Sequence, residues 1–328
     1  MARPALTRIF PPAQNDAQVY VVEQPLLRKG MKIAVLRARG LSGLLGAVPV
    51  FRALDAAFPD ASIALIGLPR ARGFAARLHR YLDEFAEFPG FPGMPERELQ
   101  DLPGFFGALR ARGFDLALQL HDSGRFANPF VALLQAKACA GFYEPGAYCP
   151  DPSRYLPWRP DEDDVPRDLR LLAHLGVPSR GTYLEFPLAD ADWRELKGFG
   201  LREGRYAVIH PGAPPAAQGW PPERFAEVAD ELAMDGLNVV LTGASSERNL
   251  SARVKASMRQ PALDLAGRTS LGGFAALLGR ARLLVSADTG ACRLAGAMRT
   301  AGVVVPRGPD ASVHDVLHEV HMLAERAA

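Results

Sequence analysis

The stretch LLVSADTGACRLAGAM, residues Leu283 to Met298, decides the fold prediction. An apolar run ends at Asp288, Thr289 and Gly290, and an Ala-rich segment that favours a helix follows. This order predicts a buried strand, a short polar turn and a helix. Unpaired amides at a helix N-terminus attract anions. The turn therefore predicts an anion site, with an ordinary helix cap at Asp288 as the alternative.

The same alternation of strand and helix continues on both sides of this stretch. KIAVLRA and ASIALIG in the first half, and RYAVIHPGA and NVVLTG in the second, have strand character and are separated by helical patterns. Such alternation indicates mostly parallel sheets with helices on both faces. We expect an N-terminal extension or added edge element over 1–30, one domain over 31–185 and a second over 186–328. Ligands are expected beyond the carboxyl ends of strands.

Individual elements follow from local patterns. RGLSGLLG, residues 39–46, predicts a Gly-rich turn before a helix, and 72–88 predict one continuous helix. The Pro- and aromatic-rich residues 141–166 show no helical period and predict a break. Ser270 is the predicted N-cap of a later helix.

Composition excludes several function classes. The chain has 328 residues, 48% of them hydrophobic, and a net charge of +2, which gives no sign of nucleic-acid binding. Three cysteines without CxxC spacing favour a reducing compartment, so we expect a cytoplasmic protein. No metal site is expected, and His314, His318 and His321 are interpreted as a surface cluster. Neither a Walker lysine nor a GxGxxG follows a strand of the second half.

Several stretches in a fixed order resemble the ADP-heptose:lipopolysaccharide heptosyltransferase family, glycosyltransferase family 9. In the second half they are VIHPGA, WPPERFAEVADEL, NVVLTG, LAGRTSLGGFAALL and LLVSADTG. In the first half they are VLRARGLSGLLGAVPVFRALDAAFP, LALQLHDSGRFANPF and AGFYEPG. The resemblance covers roughly residues 31 to 300. It implies the GT-B architecture, in which two Rossmann-like doubly wound domains face across a cleft, and sugar transfer without a bound metal.

The resemblance also implies which residues contact the donor. The turn Asp288, Thr289 and Gly290 lies against the diphosphate or sugar, and Thr269 and Ser270 lie near the nucleoside. Glu247 is a candidate for the ribose hydroxyls, with a solvated helix position as its alternative. The other implied donor-side residues are His210, Pro211, Gly212, Ala213, Thr242 and Gly243. On the acceptor side the implied residues are Ser42, Gly43, Ser123 and Asn128.

One departure from the family concerns the general base. The family carries an aspartate where this chain has Gly43, after Ser42. A general base contributes ~10²–10⁴-fold to rate, so another group must substitute if the chain is active. We predict that Asp122, with His121 beside it, is the substitute; a solvated turn residue is the alternative.

Further departures affect the donor side. The basic residue that the family has before its WP pair is replaced by Gln218 and Gly219. The histidine after the family's DTG turn is Arg293, a bidentate phosphate ligand in principle, which we expect to replace the missing cation. A helix position pointing to solvent is the alternative for Arg293. The segment after GVVV is short compared with the family, so we expect part of the donor pocket wall to be missing.

The expected function is transfer of a heptose-like or other sugar from a nucleotide-diphosphate donor, ADP-linked by resemblance, to an acceptor hydroxyl. The expected partners are the nucleotide sugar and a glycan, lipid-linked or protein acceptor, with peripheral membrane contact and oligomeric state left open. The alternative is a catalytically impaired GT-B protein that binds a sugar nucleotide, a glycan or a partner subunit. An epimerase of the UDP-sugar type is a weaker third interpretation.

Overall fold

The computed structural model describes residues 7–9, 30–94, 98–212, 220–305 and 312–326. The chain forms two compact units: the N-terminal unit ends at Thr182, and the C-terminal unit begins at Tyr183 and also includes the strand Thr7–Ile9. The strands are β1 (Thr7–Ile9), β2 (Lys32–Leu36), β3 (Ser62–Gly67), β4 (Glu84–Glu87), β5 (Leu116–Gln119), β6 (Ala138–Tyr143), β7 (Tyr155–Pro157), β8 (Tyr206–His210), β9 (Asn238–Leu241), β10 (Ala262–Asp264), β11 (Leu283–Ser286) and β12 (Gly302–Val304). The α-helices are α1 (Leu41–Ala57), α2 (Arg72–Arg77), α3 (Leu102–Arg110), α4 (Ala127–Ala132), α5 (Asp164–His174), α6 (Asp190–Glu195), α7 (Pro222–Met234), α8 (Arg248–Ser257), α9 (Leu271–Gly279), α10 (Thr289–Ala297) and α11 (Val313–Arg326).

The sheet of the N-terminal unit is wholly parallel. Its strand order is β4-β3-β2-β5-β6-β7. Counted from β2, this is the 3-2-1-4-5-6 order of the Rossmann sheet, and the order reverses between β2 and β5. The strands consist of nearly continuous apolar runs, as expected when helices cover both faces of a parallel sheet.

The C-terminal unit repeats this arrangement. Strands β10-β9-β8-β11-β12 are parallel in that order, and β1 adds an antiparallel edge with Thr7 opposite Val304. The N-terminal strand thus occupies the position of the sixth strand in the Rossmann order. The order reverses between β8 and β11. The predicted pair of doubly wound α/β sheets is confirmed.

The helix after β2 begins earlier than the sequence analysis predicts. Helix α1 starts at Leu41 and includes Gly43 and Gly46, so only Arg39 and Gly40 of the predicted Gly-rich turn lie outside it. Gly46 is buried on the helix face, where a side chain would add bulk. Glycine weakens a helix by only ~1 kcal/mol, so two glycines among 17 residues do not prevent the helix.

Residues 72–88 do not form the one continuous helix that was predicted. Helix α2 ends at Arg77, and Glu84–Glu87 form β4, which pairs with Ala64–Gly67 of β3. Apolar spacing alone cannot separate a short strand from a helix, and pairing with β3 decides this case. The predicted break at 141–166 also contains the end of β6 and all of β7.

Within the ranges that the structure describes, none of the helices combines the length and apolar character needed to cross a bilayer.

Candidate functional site

The two strands at the reversal point of the C-terminal sheet end side by side. His210 at the end of β8 is in register with Ser286 at the end of β11. Ligands of doubly wound sheets bind beyond the carboxyl ends of strands at such a reversal. The turns that follow, 210–212 and 287–290, are the two turns that the sequence analysis assigned to the donor, and the structure brings them together.

Ser286 joins these two turns through its hydroxyl. The Ser286 Oγ donates to the carbonyl of His210 at 2.7 Å and accepts from the amide of Asp288 at 2.9 Å. Its side chain is fully buried. The sequence analysis did not single out Ser286; a hydroxyl at the end of an otherwise apolar strand is the signal that could have found it.

Asp288 is the N-cap of α10, and its Oδ1 accepts from the amide of Ala291 at 2.6 Å. In the described part of the chain, no acceptor bonds to the amides of Thr289 and Gly290. Thr289 is exposed. The cap interpretation of Asp288 is therefore confirmed, and two further amides at the same helix end face no acceptor from the described residues.

Gly212 lets the first turn approach the second closely. Its φ is +72°, and a Cβ built on it would lie 3.1 Å from the Cβ of Asp288. Positive φ and close approach both favour glycine at this position. Pro211, the residue before it, is buried, and Ala213 lies outside the described residues.

His210 forms the buried floor beside these turns. Its Nδ1 lies 3.0 Å from the Oγ1 of Thr242, and its ring stacks on Phe274 with centroids 5.1 Å apart. Burial lowers the pKa of His210 below 6.5, against the opposing influence of the Asp288 and Glu247 carboxylates. We infer a neutral imidazole at pH 7, which shapes the site but supplies no cation for a phosphate.

Glu247 closes the turn that follows β9. Its Oε2 accepts from the amide of Ala244 at 2.6 Å and lies 3.9 Å from the His210 Nε2. A Cβ on Gly243 would lie 3.1 Å from the same oxygen. The Glu247 side chain is only 15% exposed, so the alternative of a solvated helix position is wrong. Contact with a ribose remains a prediction.

Ser270 caps α9, as predicted, by accepting from the amide of Gly273 at 3.0 Å. The carboxylate of Glu195 on α6 accepts from the amide and from the hydroxyl of Ser270, each at 2.6 Å. Glu195 thus holds the polar groups of Ser270 that the resemblance assigned to the nucleoside. Thr269 beside it is partly exposed.

Arg293 lies on α10, one turn beyond Thr289, and is partly exposed. Its assignment as a phosphate ligand remains a prediction. Gln218 and Gly219 lie outside the described residues.

In the N-terminal unit, the turns after β2 and β5 meet at the second reversal point. Ser42 and Gly43 lie in the first turn of α1. A Cβ on Gly43 would lie 2.8 Å from the Cβ of Arg39, and the Arg39 Nη1 donates to the carbonyl of His121 at 2.9 Å. Arg39 therefore occupies the space beside the position where the family has its aspartate.

Of the two predicted catalytic residues, Asp122 is the more accessible. Its side chain is 28% exposed, and its Oδ1 accepts from the amide of Gly124 at 2.7 Å. His121 is buried, 4.0 Å from the Asp122 Oδ2. Burial, and then the charges of Arg39 and Arg37, lower the pKa of His121 to about 3. A neutral, enclosed imidazole is a poor proton acceptor at pH 7, so Asp122 is the better candidate of the two, and its role as a base stays a prediction.

The Asn128 side chain is bonded within the protein and does not face a sugar-acceptor substrate. It is fully buried, donates to the carbonyls of Phe142 at 3.0 Å and Tyr148 at 3.3 Å, and accepts from Gln119 at 3.1 Å. Its polar atoms hold β5, β6 and the loop after β6 together. Ser123 is partly exposed and lies beside Asp122.

No three His, Cys, Asp or Glu side chains among the described residues are placed to hold a metal ion. His314 and His318 are exposed on α11, and the Nε2 of His321 lies 3.1 Å from the Oδ2 of Asp235.

Comparison with known proteins agrees with this fold and these motifs. The sequence profile described as "Glycosyltransferase family 9 (heptosyltransferase)" matches residues 104–305. Lipopolysaccharide heptosyltransferase 3 of Escherichia coli K12 is 26% identical over 213 residues, which are 62% of this chain and 61% of that protein. The alignment thus spans about three fifths of the relative's length.

Solved structures show the same fold. The glycosyltransferase family 9 structure from Veillonella parvula matches with a TM-score of 0.74 at 16% identity, over 90% of this chain and 97% of that one. An ADP-heptose lipopolysaccharide heptosyltransferase II from E. coli gives 0.68 at 17% identity, over 90% and 99%. An E. coli heptosyltransferase solved with ADP gives 0.65 at 20% identity, over 91% and 99%. The GT-B α/β fold is therefore confirmed.

Proposed function

Since the chain belongs to glycosyltransferase family 9, the heptosyltransferase family, we propose that it transfers a sugar from a nucleotide-diphosphate donor to an acceptor hydroxyl. The acceptor oxygen forms a bond to the anomeric carbon as the bond from that carbon to the diphosphate oxygen breaks. The nucleoside diphosphate leaves with the bonding electrons, and the acceptor proton passes to a base on the protein.

The observation that carries the proposal is the paired turn at the end of β8 and β11. The leaving diphosphate gains negative charge in the transition state, and preorganised amides stabilise such charge. The amides of Thr289 and Gly290 lie at the positive end of α10 and face no acceptor among the described residues. Arg293, one turn further along the helix, would add a full positive charge. With these groups the proposed mechanism needs no metal.

We assign the proton transfer to Asp122. Asp122 lies in the turn after β5, beside the first turn of α1. That first turn contains Gly43, the position at which the family carries its aspartate. The Asp122 side chain is partly exposed, whereas His121 beside it is buried. Asp122 therefore accepts the acceptor proton, and His121 supports the turn.

Parts of the proposal rest on the relatives alone. The relatives' names point to a heptose donor linked to ADP and to a lipopolysaccharide acceptor. We propose the same classes for this chain, with a glycan or lipid-linked acceptor ahead of a protein one. We also propose a cytoplasmic location, which the three cysteines without CxxC spacing favour.

The test is release of nucleoside diphosphate from ADP-, UDP- and GDP-sugars, with ADP-heptose included, in the presence of lipid-linked saccharide acceptors. We expect one donor class to be consumed only when acceptor is present. Asp122→Asn should lower kcat by about 10²–10⁴-fold, while Asp161→Asn, at an exposed position of the same unit, should leave it unchanged. No release with any donor would sink the transferase proposal, and full activity of Asp122→Asn would sink the assignment of the base.

A second candidate function is binding without catalysis. The observation that favours it is Arg39, which packs against Gly43 where the family's base belongs. In this case the wild type binds a nucleotide sugar but transfers nothing. The double variant Gly43→Asp/Arg39→Gly, which also removes the Cβ that the new side chain would meet, should then gain a large transfer activity. Under the first function the double variant gains at most about tenfold, because Asp122 already serves as the base.

A further inference from the structure

Arg37 is a cation buried inside the N-terminal unit. It follows β2 directly, and its side chain is 1% exposed. A guanidinium in such a place is tolerated only when charge partners and hydrogen-bond acceptors surround it. Arg37 has both kinds of partner, and they come from three different elements.

Two of the contacts are backbone carbonyls at the acceptor-side turns. The Arg37 Nε donates to the carbonyl of Gly43 at 2.9 Å, and Nη1 donates to the carbonyl of Leu120. Gly43 lies in the first turn of α1, and Leu120 directly precedes His121 and Asp122. One rigid, planar group therefore spans the reversal point from the helix on one side to the strand end on the other.

The other two contacts are carboxylates of α5. The Arg37 Nη2 lies 2.8 Å from the Asp164 Oδ2, and Nη1 lies 3.0 Å from the Oδ2 of Asp168, which is wholly buried. Arg167 approaches Asp168 from the other side at 3.4 Å and stacks on the ring of Trp158. The two arginines and the two aspartates of this cluster thus balance in charge. The two carboxylates fix the orientation of the Arg37 guanidinium group.

We propose that Arg37, held by Asp168, is a positioning residue of the acceptor side, which fixes the spacing between the first turn of α1 and the turn that carries Asp122. That these turns serve sugar transfer rests on the function proposed above. Arg37 does not touch substrate in this account. It acts through the two carbonyls, so loss of its charge partner frees both turns together.

The proposal is tested with Asp168→Asn, which removes the charge and nearly keeps the shape. The matched control is Asp163→Asn, an exposed aspartate before the same helix that makes no side-chain capping bond. Amide hydrogen exchange should accelerate at least about tenfold in the peptides covering 40–46 and 119–125. The peptides of the C-terminal unit should keep the control's rates. If Asp168→Asn does not fold, Asp164→Asn replaces it, since that carboxylate is 15% exposed and is one of two partners; the same peptides should respond.

Unchanged exchange in both turns, or an acceleration spread evenly over the chain, overturns the positioning proposal. Kinetic measurements distinguish a failure of the positioning proposal from a failure of the proposed function. Asp168→Asn should lower kcat and leave the KM for the donor within about twofold of the control, because the proposed donor turns belong to the other unit. A raised donor KM with kcat unchanged contradicts the assignment. If the wild type transfers nothing while the two turns still respond, the positioning proposal stands and the proposed function fails.

Discussion

Replacing Ser286 with alanine should loosen the contact between the two donor-side turns. The Ser286 hydroxyl donates to the carbonyl of His210 at 2.7 Å and accepts from the amide of Asp288 at 2.9 Å. Alanine makes neither bond, and the fully buried position leaves no obvious route for water to replace them. The variant therefore loosens the link between the end of β8 and the N-terminus of α10, while the backbone pairing of β8 with β11 remains.

The expected loss follows from the number of bonds. An intramolecular hydrogen bond contributes about 0.5–1.5 kcal/mol net, so losing two lowers the free energy of unfolding by about 1–3 kcal/mol. The volume removed is a single oxygen atom, so the cavity contribution is small beside this. The turns should also lose their fixed spacing, which we expect to weaken nucleoside diphosphate binding by about tenfold or more.

Urea denaturation followed by tryptophan fluorescence measures the first effect. Trp193 and Trp220 belong to the C-terminal unit and Trp158 to the N-terminal unit, so a Trp158→Phe background reports on the unit that contains Ser286. Ser246→Ala, at an exposed position of the same unit, is the matched control and should change stability by less than about 0.5 kcal/mol. If Ser286→Ala is as harmless as this control, the hydroxyl does not join the two turns.

Three further predictions concern neighbouring positions. Gly212→Ala should destabilise the C-terminal unit by about 1–2 kcal/mol in the same urea assay, because φ is +72° and the new methyl group meets Asp288; an unchanged midpoint would contradict this. Gly43→Asp should destabilise the N-terminal unit by about 1–3 kcal/mol, because its Cβ meets that of Arg39 at 2.8 Å; adding Arg39→Gly, which removes that Cβ, should recover part of the loss, whereas no recovery would contradict the clash. His121 has a folded-state pKa of about 3 against 6.5 for the ordinary group, so the unfolded chain binds the proton first as the pH falls. The contribution of neutral His121 to the free energy of unfolding is fully present above about pH 6.5 and is lost at ~1.4 kcal/mol per pH unit towards pH 3. His121→Asn should remove that slope, and an unchanged pH dependence of unfolding would refute the assignment.

The parts of the fold that the sequence predicts well are those with local causes. The strand, turn and helix at 283–298 are predicted because an apolar run, an N-cap aspartate and a glycine follow one another directly. Ser270 is predicted as an N-cap for the same reason. By contrast, β4 depends on pairing with β3, about twenty residues earlier, and no local pattern distinguishes it from the end of a helix.

The same division applies to the candidate site. The meeting of His210–Gly212 with the turn at Asp288 follows from motif order and the rule that ligands lie at strand ends. The structural role of Asn128 does not, because its partners are the carbonyls of Phe142 and Tyr148. Arg37 is missed for a similar reason, since its carboxylate partner Asp164 lies 127 residues away in sequence.

The most direct test of the donor site is an NMR titration with ADP of the full chain, deuterated and labelled with ¹⁵N. If nucleoside diphosphate binds at the end of β11, the amide signals of Thr289 and Gly290 should shift the most, saturably. The Asp288→Ala variant should respond less, because α10 loses its cap. Shifts confined to other residues, or no shift at millimolar ADP, would contradict the account.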